Sequence, residues 1–137
     1  MLAVLLTHSR MDENSEAIAS YQRDGFVSVS AFFNSEELAT IESELARFKR
    51  ERIPTLESSE VFYEDIEHPE SLKQIQRMQQ HDPYFFGLMA GKPQRLAERL
   101  LGENVVPKNL QYFNKPPLLG RATPPHQDGY YLSLIHI

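Results

Sequence analysis

An α+β domain, with helices gathered early and strands arriving late, is the fold class that this sequence predicts. Three observations predict it. Behind Asn34 and Glu37, the apolar residues Leu38, Ile41, Leu45 and Phe48 recur at helical spacings of three and four. Much later, "NLQYFNK" alternates, with Leu110 and Tyr112 on one face and Gln111 and Phe113 on the other. Between them, prolines and glycines cut the chain into short elements, with no internal repeat and no low-complexity tract.

Taken in order, Asn14 or Ser15 can cap a short helix that carries Ala17, Ile18 and Tyr21 on one face, and Gly25 is placed to end it. "GFVSVS" then predicts a short strand through Phe26, Val27 and Val29. Asn34 with Glu37 forms a capping box for the main helix, and Pro54 marks its end. "SSEVFYED" predicts a second strand. Residues 70–80 read as a polar helix. Asp82 and Pro83 have the character of an N-cap and first-turn pair for "YFFGLMA". Pro93 opens another helix, with Leu96, Leu100 and Leu101 inward and Gly102 just past its end. "NVVPKNLQYFNK" predicts a strand, "PPLLGRATPP" a loop, and His126 starts a further strand. The sheet is only beginning as the chain stops, so residues 1–137 read as one partial domain.

Composition narrows the functions. Of the 137 residues, 41% are hydrophobic and 24% charged, as in an ordinary globular chain. A net charge of −5 argues against nucleic acid as the main partner, because phosphate binding needs a basic face. No apolar run approaches a membrane span, so no membrane partner is expected. There are no cysteines, which excludes thiolate metal sites and disulfides. Any metal must be held by His, Asp, Glu or water. The apolar run Leu2–Leu6 is too short for a secretion signal and has no cationic segment before it. Residues 1–10 therefore read as a leader outside the domain, Met11 as a more ordinary start, and the cytoplasm as the default location. The sequence says nothing of oligomeric state.

The chemistry concentrates in "RATPPHQDGYY", residues 121–131. In an extended segment, residues i and i+2 point to one side, so His126 and Asp128 present an imidazole and a carboxylate to a single point. Pro124 and Pro125 stiffen the approach, and Gly129 lets the backbone kink behind the carboxylate. Two histidines and a carboxylate on one face are diagnostic of non-haem Fe(II) oxygenases. A lone H-x-D, however, is more often a surface polar pair.

Its surroundings favour the metal. "FNKPPLLGRATPPHQDGYY", residues 113–131, resembles the phytanoyl-CoA dioxygenase family. The matching elements are Asn114-Lys115-Pro116-Pro117, Gly120, and Thr123 through Gly129 with an aromatic pair after it. More loosely, "YQRDGFVSVSAFFNSEELATIESEL" is similar to that family's opening. The resemblance implies a double-stranded β-helix, a cupin-like jelly-roll, of which this chain holds the N-terminal helices and first strands. It implies hydroxylation of a small-molecule substrate with Fe(II), 2-oxoglutarate and O₂, releasing succinate and CO₂. His126 and Asp128 carry over as catalytic metal ligands. Relatives that halogenate lack this carboxylate, so Asp128 favours hydroxylation. Gln111 resembles a position that lines the 2-oxoglutarate pocket. Gln74 falls near another, where some members carry lysine; an amide donates to a carboxylate but brings no charge. Lys115 could contact an acidic ligand, and Tyr130 and Tyr131 could line or close the pocket. The ordinary alternatives are solvated glutamines, a solvated lysine and core tyrosines.

The family's second histidine and its 2-oxoglutarate-binding arginine lie well downstream of the H-x-D. His136 is a poor substitute, because no turn signal lies between Tyr130 and His136 to bring it back. The tail "LSLIHI" also resembles a translated sequencing adapter, so residues 132–137 read as non-native. His68 and His81 read as solvated or capping residues. The expectation is an inactive fragment of a dioxygenase. The alternatives are a non-catalytic jelly-roll module that binds a small molecule or a partner, and a plain helical interaction domain over residues 14–101.

Overall fold

A computed structural model of the protein describes residues 15–118, 120, 122, 124 and 125. Helix α1 covers residues 15–24, with Ala17, Ile18 and Tyr21 half-buried on one side. Gly25 stops it at φ +79, where its N–H donates to the Tyr21 carbonyl at 2.8 Å. The strand expected over Phe26–Val29 does not form. Alternation specifies a strand only where a partner edge is available. Here the segment pairs with none, and Phe26 is 72% exposed.

Helix α2, Ser35–Glu51, begins as expected. The Asn34 side chain accepts from the Glu37 N–H at 2.9 Å, and the Glu37 carboxylate accepts from the Asn34 N–H at 2.9 Å. Such a box contributes about 1 kcal/mol. Its apolar stripe deepens along the helix: Leu38 is exposed, Ile41 and Leu45 are half-buried, and Phe48 is fully buried. A 3₁₀ turn through Pro54 follows.

Three short strands form one antiparallel sheet in the order β1 (Val61–Tyr63), β2 (Leu72–Ile75), β3 (Tyr112–Phe113). The polar helix expected over residues 70–80 is therefore replaced by a 3₁₀ turn, strand β2 and a short helix. Leu72 and Ile75 stand three apart, a spacing that suits a helix as well as a bulged strand. In β2 that spacing comes from a bulge. Phe62 pairs with Gln74 and Tyr63 with Leu72, which leaves Lys73 as an extra residue. The extra residue turns Leu72 and Ile75 to the same side, where both are buried. The expected strand over residues 104–115 is likewise shortened to Tyr112–Phe113. Before it, Leu110 exchanges bonds with the helical layer instead: its carbonyl accepts from the Met78 N–H at 3.0 Å, and its N–H donates to the Gln79 side chain at 3.0 Å.

The helices after β2 are α3 (Met78–His81), α4 (Pro83–Met89) and α5 (Lys92–Leu101). Asp82 caps α4 with Pro83 in the first turn, as the sequence predicts, and accepts from the Tyr84 N–H at 2.9 Å. Gly102 closes α5 at φ +73. Leu96 and Leu100 are half-buried, but Leu101, expected inward, is 49% exposed at the last position of the helix. The core is Phe48, Leu72, Ile75, Met78 and Phe85, with Val61, Tyr63, Leu110 and Tyr112 packed against it. Phe48 and Phe85 meet edge-to-face at 5.2 Å. One face of the sheet thus lies on helices. The other, carrying Phe62, Gln74, Gln111 and Phe113, does not contribute to that core.

Candidate functional site

The outer sheet face holds two of the residues singled out from the sequence. Gln74, central in β2, pairs with Phe62 on β1 and with Phe113 on β3. Gln111 lies two residues before Phe113, diagonal to Gln74 on the same face. The Gln74 Nε2 donates to the Gln111 Oε1. Phe62 and Phe113 flank this amide pair and are both exposed. An open sheet face with two aromatic rings and an amide pair can bind a ligand that has apolar surface and a hydrogen-bonding group.

Past β3 the chain is held in place. The Asn114 N–H donates to the Lys73 carbonyl at 2.8 Å, and its Nδ2 donates to the Leu72 carbonyl at 3.1 Å. Asn114 thus grips the bulge twice, a role the sequence did not announce. Lys115 is exposed and Pro116 buried. The Gly120 N–H then closes a turn on the Pro116 carbonyl at 2.9 Å. A Cβ at Gly120 would sit 3.1 Å from that oxygen, which explains a glycine there. The loop that leads to the H-x-D therefore starts from a fixed point.

His126, Asp128, Tyr130 and Tyr131 lie outside the described residues, as do His8 and His136. Among the described residues no three His, Asp or Glu side chains converge as a metal site. Two clefts flank α5 instead of the sheet face. One, about 790 Å³, is lined by Lys92, Arg95 and Arg99 with Glu98 and Glu103; the other, about 360 Å³, is almost wholly apolar. Neither includes Gln74, Gln111 or Lys115.

A second polar cluster escaped sequence analysis. Glu60, just before β1, is buried, and the Arg77 guanidinium grips both of its carboxylate oxygens. That hydrogen bonding holds the Glu60 carboxyl below the usual carboxylate range, against the opposing effect of burial. Arg77 itself stands in the left-handed region at φ +50, and its N–H donates to the Asn109 side chain at 3.1 Å. His81, read from the sequence as solvated or capping, is not the cap, which is Asp82; it is half-buried, with its Nε2 3.8 Å from a Glu60 oxygen. The only sequence cue was a charge before a short apolar run, which is too common to single out.

A model of the family described as phytanoyl-CoA dioxygenase matches residues 21–136. The chain belongs to that family. The match covers both the loosely similar opening and the specific segment around the H-x-D. Membership makes the protein kin to dioxygenase-type enzymes, a family generally dependent on Fe(II) and 2-oxoglutarate. No curated protein and no solved structure matched the chain. The described residues contain no helix long and apolar enough to cross a membrane.

Proposed function

We propose that this chain carries the metal-binding segment of an Fe(II)/2-oxoglutarate-dependent dioxygenase that hydroxylates a small molecule, on a cupin-like jelly-roll. The observation that carries the proposal is the family match, which includes the segment where His126 and Asp128 stand two residues apart behind paired prolines. An imidazole and a carboxylate are the right donors for Fe(II), and the chain has no thiolate to compete. When bound, Fe(II) with 2-oxoglutarate and O₂ would supply the oxidising power for hydroxylation.

The remaining roles belong to the chain. His126 and Asp128 would hold the metal, and the Asp128 carboxylate would take the place that a halide needs in halogenating relatives. Gln111 and Gln74 would donate to the 2-oxoglutarate carboxylate from the outer sheet face. Lys115 would add charge, Tyr131 would close the pocket, and Phe62 and Phe113 would keep water from the reacting groups. The working location would be the cytoplasm, with no nucleic acid or membrane partner.

One observation favours a second reading, a non-catalytic jelly-roll module that binds a small molecule or a partner. Gln74 and Gln111 satisfy each other and bring no charge to a dicarboxylate. Cobalt(II) titration of the chain, followed by its visible absorption, separates the two. Binding that disappears in both His126→Ala and Asp128→Ala supports the metal centre. Binding that is absent, or unchanged in both variants, leaves the non-catalytic module.

A further inference from the structure

Asn114 follows β3 and meets two successive carbonyls at the bulge of β2. Its N–H donates to the Lys73 carbonyl at 2.8 Å, and its side-chain Nδ2 donates to the Leu72 carbonyl at 3.1 Å. In a regular antiparallel strand, neighbouring carbonyls point to opposite edges. Here both are met from the β3 side, because the extra residue breaks the alternation. A backbone N–H reaches only one of them. The second needs a side-chain donor of the right length, and the Asn114 amide supplies it. From the β1 side the bulge is held by the Lys73 ammonium, 3.1 Å from the carboxylate of Glu64, whose side chain is 9% exposed.

Two parts of the candidate site hang on this contact. One is the glutamine pair. Gln74 follows the bulge, Gln111 leads into β3, and their side chains meet only while the two strands keep this register. A one-residue slip of β2 would turn Gln74 to the core side. The other part is the loop towards His126 and Asp128. It leaves directly from Asn114 through Pro116, which is buried and whose carbonyl accepts from the Gly120 N–H at 2.9 Å.

We propose that Asn114 is a positioning residue: by holding the bulge it fixes the start of the metal-binding loop to the glutamine pair, so that one ligand can meet both. Asn114 acts through the Lys73 and Leu72 carbonyls, and its own amide does not touch the ligand. The joint itself stands on the described residues; only its effect on a ligand rests on the metal-centre reading.

The test pairs a structural readout with a binding readout on the full chain. In Asn114→Ala the nuclear Overhauser contact between the Gln74 and Gln111 side chains should weaken, and the Gly120 amide should exchange with heavy water at least about fivefold faster. Asn34→Ala, which removes a cap remote from the sheet, should change neither. Wild-type behaviour at either end of the joint overturns the proposal, and so does an equal acceleration in Asn34→Ala, since exchange would then report overall stability. With cobalt(II) bound, the affinity of Asn114→Ala for 2-oxoglutarate should fall about fivefold while its affinity for cobalt stays the same. Unchanged 2-oxoglutarate affinity overturns the proposal. A fall with both structural signals intact overturns it too, because Asn114 would then be touching the ligand. If the wild type takes no cobalt through His126 and Asp128, or takes no 2-oxoglutarate once loaded, the metal-centre reading fails by itself, and the two structural signals alone decide for Asn114. Should Asn114→Ala fail to fold, Asn114→Asp keeps the shape, removes the donor and is read in the same way.

Discussion

Arg47 on α2 donates to the carboxylate of Asp82 at 2.8 Å, and the same carboxylate caps α4 through the Tyr84 N–H. One buried side chain thus joins two helices and starts one of them. Arg52 approaches it as well, at 3.5 Å.

Replacing Asp82 should therefore separate two effects. Asp82→Ala removes the cap and the Arg47 contact, leaving Arg47 with Glu44, and should cost about 2–3 kcal/mol. Asp82→Asn keeps an oxygen for the Tyr84 N–H and should recover about 1 kcal/mol of that loss. Urea unfolding of the two variants measures the difference. Equal losses would mean that the cap contributes nothing.

Acid should unfold the protein through Asp82 and Glu60. Burial alone pushes the Asp82 carboxyl up, but hydrogen bonds from Arg47 and the Tyr84 N–H, with the nearby positive charge, bring it below its ordinary value. Glu60 is held low mainly by Arg77. A carboxyl depressed in the folded state adds stability above its unfolded value and loses it as the pH falls towards the folded one. Stability should thus drop below about pH 4. In Asp82→Asn that drop should be shallower, as read from urea midpoints across the acidic range.

The two sheet faces should respond differently to truncation. Phe48→Ala opens the centre of the core and should cost about 3–5 kcal/mol. Phe62→Ala lies on the outer face and should change stability by only about 0.5 kcal/mol. A large loss at Phe62 would show that the outer face is packed rather than open.

The glutamine pair should matter more for binding than for folding. Gln74→Leu and Gln111→Leu should each leave the urea midpoint nearly unchanged. If the pair meets 2-oxoglutarate, each should weaken its metal-dependent binding by about 1 kcal/mol, roughly fivefold. Calorimetric titration of metal-loaded wild type and variants checks this. Unchanged binding in both would remove the pair from the site.

The parts of the fold that were legible in the sequence are those written in neighbouring residues. Asn34 with Glu37 and Asp82 with Pro83 each announce a helix start, because a cap needs only its own first turn. The alternation of Leu110, Gln111, Tyr112 and Phe113 also came through. What failed was whatever depends on a distant partner. "GFVSVS" has the pattern of a strand but no edge to join. Leu72 and Ile75 fit both a helix and a bulged strand, and only the pairing with Phe62 and Tyr63 decides between them. The candidate site divides in the same way. The H-x-D is a local pattern, visible without any structure. The contact between Gln74 and Gln111 is made by the register of two strands. The Glu60, Arg77 and His81 cluster depends on a left-handed arginine that no propensity would place there.

Strand β3 is two residues long, and it reaches β2 only after three helices have been laid down between them. In folding, β1 and β2 can find each other through a short connection, whereas β3 must close a long loop before any hydrogen bond rewards it. It should therefore dock late and detach first. The amides of Phe113 and Asn114 should exchange with heavy water faster than those of β2, and the outer face should be the part of the protein that is assembled last.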